Sequence, residues 1–182
     1  NDIIFSEVLE EEIILRYEKN NNESVEFPKV FGRIKGVSEN YDHVSNIKNY
    51  ILVESDKYKF LDLQNSNPVI MVGLNIANNL NLSVANTYQE ANNQINLLKI
   101  WSIKTSTKKP ELFYKNGFVN SAIFSISPEF DNYIFSSIEL ARNIFEKPNH
   151  CSYIEIKFKN NLNFNVQDVL QKDLGDQFIV KN

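Results

Sequence analysis

The most reactive side chains in the sequence belong to one cysteine and two histidines. Cys151 follows His150 directly, while His43 lies far away along the chain. A cysteine acts as a nucleophile when a histidine nitrogen reaches its thiol, but adjacent residues on a strand point to opposite faces. A zinc site needs further cysteines or histidines at ligand spacing. The sequence therefore predicts no catalytic residue and no metal site, and we interpret Cys151 as an incidental thiol.

Acidic and glycine-containing segments give no stronger prediction of chemistry. Residues 10–12 are three consecutive glutamates, which we interpret as a solvated strand end. Asp131 and Asp168 lack the spaced oxygen ligands of a calcium loop. A single glycine, Gly73, follows an apolar run, which is not the pattern of a phosphate-binding loop. We predict no cofactor, although a pair of carboxylates brought together by folding would leave a small enzyme as an open alternative.

Composition restricts the class of protein. The chain has 182 residues, of which 42% are hydrophobic, so it can bury a core. Its 19 basic and 23 acidic residues give a net charge of −4, which argues against nucleic-acid binding. A single cysteine excludes an internal disulfide framework, and no apolar run is long enough to span a membrane. The chain begins with Asn1, without Met, so we expect it to be part of a longer protein.

The first half of the sequence predicts mainly strands. Residues 8–18 and 24–37 are rich in β-prone residues and flank an Asn-rich turn, which predicts a hairpin. Pro28 lacks an amide donor, which places the second strand at an edge or a bulge. Residues 41–53 could hold a short helix. Residues 69–72 predict a short buried strand, and the spacing of the apolar residues after Gly73 predicts a short helix.

The second half predicts two strands and then a βαβ ending. Residues 94–104 and 118–126 are the strands, and they could form a hairpin joined by a long polar arm at 105–117. Residues 136–146 predict a helix in which Ser136 and Glu139 form a capping box. A strand at 153–159 has one apolar and one charged face, a helix begins at Asn165, and residues 178–180 form a last short strand. These elements predict an α+β fold.

The arm at 105–117 is the most informative segment for function. Its apolar and aromatic residues stand in a polar stretch that also carries lysines; they are Pro110, Leu112, Phe113 and Tyr114. One interpretation is that these side chains fold back and anchor a long loop. The other is that they contact a partner protein, with the lysines steering the encounter.

The order of the segments resembles the extracytoplasmic domain of type VII ABC-transporter permeases, the lipoprotein-releasing (LolC/LolE) and MacB-like group. Residues 5–17 are similar to the family's V-S-P-x-V-E-x-E-x-L-L-R-Y segment, and residues 69–82 to its I-V-L-G-x-x-L-A-x-x-L-G-L strand and helix. Residues 122–145 and 153–159 are similar to its I-F-S…A-R-x-L-F and I-E-V-K-L-K stretches. The family's two turn glycines are replaced by Asn81 and Ala85.

The resemblance implies a two-lobed periplasmic domain of the Porter/Sabre type. Residues 1–50 and 150–182 would form the Porter-like lobe, and residues 51–149 the inserted Sabre-like lobe with an extended hairpin arm at 105–117. In the lipoprotein-releasing branch a hairpin hook between the same two strands recruits a periplasmic carrier. By this resemblance Pro110, Leu112, Phe113 and Tyr114 would form a comparable partner-binding tip.

The function implied by the resemblance is mechanical, and no enzyme activity is expected. The domain would belong to an inner-membrane permease, face the periplasm, and couple ATP-driven transmembrane motion to lipoprotein release. Its partners would be a cytoplasmic ATPase subunit, a second permease protomer, a periplasmic carrier or adaptor protein and the lipoprotein substrate. The alternative within the family is a MacB-like efflux permease that binds an adaptor protein. An FtsX-like regulator of cell-wall hydrolases fits less well.

Overall fold

Among the residues it describes, the structure has nine strands, five α-helices and two short 3₁₀ helices, Ile47–Tyr50 and Phe130–Asn132. The computed structural model describes residues 3–17, 28–60, 68–104, 111–159 and 166–181, with the backbone alone at 103–104 and 111–116. The strands are β1 Ile3–Tyr17, β2 Lys29–Val37, β3 Ile51–Glu54, β4 Val69–Gly73, β5 Leu98–Lys104, β6 Glu111–Asn116, β7 Val119–Phe124, β8 Tyr133–Ser137 and β9 Tyr153–Phe158. The helices are α1 Tyr41–Ser45, α2 Leu74–Leu80, α3 Tyr88–Leu97, α4 Ile138–Phe145 and α5 Val166–Leu174.

All nine strands belong to one sheet that is organised around β1. The order is β3-β7-β4-β8-β2-β1-β5-β6, with β9 also paired to β1. One edge of β1 is covered by β2, while the other edge pairs with β9 over its first half and with β5 over its last residues. The β2–β8 and β4–β7 pairs are parallel, and the remaining pairs are antiparallel. The predicted α+β class is therefore confirmed.

The predicted first hairpin is confirmed. β1 and β2 pair antiparallel from Val8 opposite Val37 to Arg16 opposite Lys29. β1 begins at Ile3, earlier than predicted, because the glutamates at 10–12 lie within the strand instead of ending it. Pro28 precedes β2 and so removes no hydrogen bond from the ladder. The Asn-rich turn lies outside the described residues.

The two faces of the sheet are buried by different means. On one face, α2 and α4 cover the larger apolar cluster, which includes Leu9, Ile34, Ile76 and Ile144. On the other face, Tyr41 of α1 packs among strand residues such as Phe124 and Phe135, whose ring centroids lie 5.0 Å apart. The ring of Tyr41 lies 5.6 Å from that of Phe135. The aromatic face also carries the polar residues described below.

Two glycines let neighbouring backbone approach the sheet. A Cβ at Gly36 of β2 would collide with the Cβ of Ala141, so the absence of a side chain lets α4 lie directly on β2. A Cβ at Gly73 would collide with the backbone carbonyl of Asp131. The Asp131 carboxylate is itself buried and accepts hydrogen bonds from the Ser125 hydroxyl and the Ile126 amide, at 3.0 and 3.1 Å. These contacts hold the turn that leads into β8 against β4.

The segment predicted as a strand at 94–104 begins as a helix. Residues 94–97 form the last turn of α3, and only Leu98–Lys104 is extended. α3 starts at a capping box in which the Thr87 hydroxyl accepts from the Glu90 amide and the Glu90 carboxylate accepts from the Thr87 amide. The helix is anchored by Gln94, which donates to the Ser83 carbonyl at 2.8 Å. Gln94 stands on the buried side of the helix between Ala91 and Ile95, so a polar residue interrupts the apolar spacing that would reveal a helix.

The predicted hairpin between residues 94–104 and 118–126 is also wrong. β5 pairs with β6, at residues 111–116 within the predicted arm, while β7 pairs with β3 and β4. Strands from both predicted lobes, residues 1–50 with 150–182 and residues 51–149, take part in the single sheet. The lobe borders and the Porter/Sabre fold stay predictions.

Two predicted details near the chain's end need correction. The cap of α4 is Ser137, whose hydroxyl accepts from the Leu140 amide at 3.2 Å, whereas Ser136 ends up buried within β8. Residues 178–180, which were predicted to form a last strand, are described by the structure but are not extended into a strand. Their backbone is hydrogen-bonded to the side chain of Gln171 in α5. The helix predicted from Asn165 is confirmed as α5, although Asn165 itself lies outside the described residues.

Candidate functional site

The predicted partner-binding residues lie at the end of the sheet. Leu112, Phe113 and Tyr114 belong to β6, and in register with β5 they stand opposite Ile103, Ser102 and Trp101. Pro110 lies outside the described residues. Because β6 ends the strand order, its outer edge pairs with none of the described strands. A strand edge of this kind offers backbone N–H and C=O groups to a partner chain.

A second candidate site, which sequence reasoning missed, is a group of charged and aromatic residues above β1. We call it the polar cluster: Glu10, Arg33, Lys35, Tyr133, Tyr153 and Glu155. In the strand register, Lys35 stands opposite Glu10 and Arg33 stands opposite Tyr133. The same face of β9 contributes Tyr153 and Glu155. Four strands therefore send polar side chains to one place on the sheet.

The Lys35–Glu155 ion pair lies across β1. The Lys35 ammonium donates to the Glu155 carboxylate at 2.5 Å, and the two side chains are 6% and 28% exposed. β2 and β9 are not neighbours, so this bond connects the two strands that flank β1. The ring centroids of Tyr41, Tyr153 and Phe135 lie 5.0, 5.6 and 5.8 Å from the ammonium nitrogen, within cation–π range.

Glu10 is the acceptor at the centre of the polar cluster. One carboxylate oxygen accepts from Arg33 Nη1 and from the Tyr133 hydroxyl, both at 3.1 Å. The other accepts from the Tyr153 hydroxyl at 2.7 Å. Arg33 also donates to the Tyr133 oxygen at 3.3 Å. One carboxylate thus connects β1 to β2, β8 and β9.

The environment of the polar cluster keeps its protons in place. Burial opposes the charge of Lys35, but attraction to Tyr41 and Glu155 outweighs it, so the pKa of Lys35 is raised. Burial, reinforced by hydrogen bonding to Glu10, raises the pKa of Tyr153. A lysine that stays protonated has no lone pair with which to attack a carbonyl carbon. The bonds of the polar cluster join side chains of β1, β2, β8 and β9.

A shallow groove of about 470 Å³ lies beside the polar cluster. Its lining includes Phe31, Arg33, Glu129 and Tyr133. The Phe31 side chain is 69% exposed, and Arg33 is already bonded to Glu10 and lies 3.5 Å from Glu12. The groove therefore offers the exposed ring of Phe31 beside the Arg33 guanidinium, whose charge is mostly compensated by Glu10 and Glu12.

The residues first considered for chemistry are not assembled into a site. His43 and His150 are exposed, and Cys151 is half-buried with a free thiol. The His150 carbonyl accepts from Arg142 Nε, which fixes the backbone and leaves the imidazole outside that bond. Within the described ranges, no three side chains of His, Cys, Asp or Glu come together where a metal ion could bind.

The comparisons with known proteins supply no family. No model of a known protein family and no curated protein matches the chain. In the part of the chain that the structure describes, no helix combines the length and apolar character that crossing a bilayer requires.

The missed residues left only a weak signal in the sequence. Lys35 and Glu155 are 120 positions apart, and each looks like the polar residue of an alternating strand. The alternation of apolar and charged residues in β9 is confirmed, but the apolar residues are on the more exposed face of the strand and the charged residue Glu155 is on the more buried one. The face with Glu155 is the better-covered one, whereas Ile154 and Ile156 are 53% and 43% exposed.

The unequal burial of the ion pair predicts unequal costs when either partner is removed. Glu155→Gln leaves the ammonium of Lys35 buried without a counter-charge, and we expect a loss of about 3 kcal/mol in the free energy of unfolding. Lys35→Met leaves a carboxylate that water reaches, and places an apolar chain among aromatic rings, so we expect a loss below about 1 kcal/mol. Urea unfolding measures both; equal losses, or a larger loss for Lys35→Met, would contradict the assignment.

The raised pKa values also predict the behaviour of the protein at alkaline pH. Lys35 and Tyr153 hold their protons more tightly in the folded state, so their contribution is complete below the unfolded values of 10.5 and 10.0 and is lost as pH rises through the folded values. Tyr153→Phe removes one such group and should flatten the alkaline fall by up to about 1.4 kcal/mol per pH unit.

The measurement is the free energy of unfolding at a series of pH values from neutral to strongly alkaline. Tyr88→Phe, at a position outside the polar cluster that is 76% exposed, is the matched control. If the Tyr153→Phe and wild-type curves were parallel, the link between Tyr153 and alkaline stability would be refuted.

Proposed function

We propose that this chain is a non-catalytic extracytoplasmic domain of an ABC transporter permease. In this role it couples ATP-driven motion of the transmembrane segments to the release or hand-over of a lipoprotein. The proposal starts from the sequence resemblance. The observation that supports it best is that the first and last strands are partners, with Ile3 of β1 opposite Phe158 of β9.

Adjacent first and last strands suit a domain inserted into another structure. Paired residues on neighbouring antiparallel strands lie about 5 Å apart, so the sheet is entered and left at one place. A displacement applied there acts on β1, which pairs with β2, β5 and β9. The polar cluster adds side-chain bonds across the same strands. These features support a body that moves as one unit.

The opposite end of the sheet fits the proposed docking role. β9 pairs with residues 3–8 of β1, whereas β5, which carries β6, pairs with residues 14–17, so β6 lies toward the other end of β1. In the proposal, the tip formed by Pro110, Leu112, Phe113 and Tyr114, together with the edge of β6 that pairs with none of the described strands, contacts a periplasmic carrier. The remaining partners are the ATPase subunit, the second permease protomer and the lipoprotein, all reached through the full-length permease.

The proposed extracytoplasmic location of the domain can be tested by labelling an introduced cysteine. In the full-length protein, we expect a membrane-impermeant maleimide to label Glu39→Cys in a Cys151→Ala background in intact cells, because Glu39 is exposed. The Cys151→Ala protein is the matched control for labelling elsewhere. Labelling that requires disruption of the inner membrane would overturn the extracytoplasmic location. Co-purification of a nucleotide-hydrolysing subunit with the tagged protein would support the permease assignment.

The proposed partner-binding tip is best tested by point substitutions. Deleting residues 106–116 would remove β6 and expose the edge of β5, so loss of binding would be ambiguous. Phe113→Ala with Tyr114→Ala should weaken capture of the carrier from periplasmic extract by about tenfold or more, as for aromatic anchors at an interface. Tyr88→Ala, an exposed aromatic outside the arm, should leave capture unchanged. Equal capture by all variants would refute the tip, and capture of a membrane-fusion adaptor would favour the MacB-like alternative.

A further inference from the structure

One part of the sheet has a bare apolar face. We call it the β1–β9 apolar face: Ile3, Phe5, Ile154, Ile156 and Phe158. The first four side chains are 51%, 55%, 53% and 43% exposed. In register, Phe5 stands opposite Ile156 and Ile3 opposite Phe158, so the side chains form adjacent cross-strand pairs. An apolar surface of this size on a sheet normally packs against another element.

The same face is covered by a helix a short distance along β1. Leu9 and Ile13, which alternate onto this face, are buried in the cluster that contains Ala141 and Ile144 of α4. Arg142 of α4 donates to the Glu7 carboxylate at 3.1 Å. The helical layer therefore reaches Glu7 and stops, and the β1–β9 apolar face begins where it ends.

In the part of the chain that the structure describes, the helix that follows β9 has no buried residue on its apolar side. Val166, Val169, Leu170 and Leu174 recur at helical spacing, which places them along one side of α5. None of the residues of α5 is buried, and Val169 and Leu174 are 43% and 45% exposed. Both surfaces are exposed in the structure, so they do not cover each other there.

The segment that ends the chain stabilises α5 locally. Gln171 donates to the carbonyls of Gly175 and Phe178 at 2.9 and 2.8 Å and accepts from the Val180 amide at 2.9 Å. Gln167 donates to the Val180 carbonyl at 3.0 Å. These bonds hold the helix and its tail together through polar side chains, and they leave the apolar side of α5 free to pack elsewhere.

We propose that α5 docks on the β1–β9 apolar face and continues the layer that α4 begins. Residues 159–165 connect the end of β9 to α5, and eight extended steps reach at most about 29 Å. β9 is about 20 Å long and α5 about 13 Å, so the helix can return over the strand. A tether of this length gives the helix an effective concentration in the millimolar range at the face, which favours it over a second copy or a separate partner. The docking is independent of the proposed function.

Cysteine cross-linking in the whole chain tests the docked arrangement. In a Cys151→Ala background, Ile156→Cys with Val169→Cys places one thiol on the face and one on the apolar side of α5. The matched control, Ile156→Cys with Asp168→Cys, moves the second thiol by one residue to the opposite side of the helix, where the structure has Asp168 exposed. Residues 156, 168 and 169 are exposed, and Cys151→Ala is a small change at a half-buried position that both variants share, so the variants should fold.

The docked helix predicts that mild oxidation closes an intramolecular disulfide in the Val169→Cys variant about tenfold faster than in the Asp168→Cys variant. Similar rates for the two pairs would mean that α5 only diffuses near the face, and would overturn the proposal. A disulfide between two chains would assign the face to a second copy, and would overturn it as well. Failure of both pairs to cross-link, with the thiols titratable, would leave α5 undocked and count against it in the same way.

Discussion

Burial of the Lys35 ammonium is the constraint on which the arrangement of the sheet depends. A charge that is almost removed from water must be compensated by an opposite charge and by hydrogen bonds. Glu155 supplies the opposite charge, and it can do so only when β9 lies beside β1 in the observed register. Around the ammonium, the rings of Tyr41, Tyr153 and Phe135 exclude water and provide cation–π attraction. Lys35 of β2 thus determines the position and register of the last strand, β9.

The same constraint makes β1 a shared structural axis. At about 3.4 Å per residue, its fifteen residues extend about 50 Å. It pairs with β9 at residues 3–8, with β2 at residues 8–16 and with β5 at residues 14–17. Glu10 binds side chains from β2, β8 and β9, so strands on both sides of β1 are connected by side chains as well as by the backbone ladder. A force applied along β1 is therefore passed to β9, β2 and β5 through its ladders and to β8 through Glu10. This is the mechanical property that the proposed role requires.

The sequence predicts those strands and helices in which the apolar residues recur at the spacing of a strand or of a helix. The β1–β2 hairpin, β4 with α2, and α4 show period-two or helical spacing of apolar residues, and they are found. α3 shows this spacing only in part, because the buried Gln94 interrupts it, and the Thr87–Glu90 capping box is its other local signal. The polar cluster could not be predicted, since Lys35 and Glu155 acquire their meaning from contact across 120 positions. The pairing of β5 with β6 has little local signal, because residues 105–117 are mostly polar and contain Pro110.

The alternation of β9 shows how polar contacts can set a register that hydrophobic burial would not. Moving the strand by one residue would turn Ile154 and Ile156 toward the aromatic face and Glu155 toward the bare face. On apolar burial alone this arrangement would be preferred, because both isoleucines would leave water. It would also leave Lys35 buried without a counter-charge and remove the Tyr153 hydroxyl from Glu10. The cost of one uncompensated buried ammonium exceeds the gain from two partly exposed isoleucines. The ion pair therefore selects the observed register, and the exposed isoleucines are its consequence.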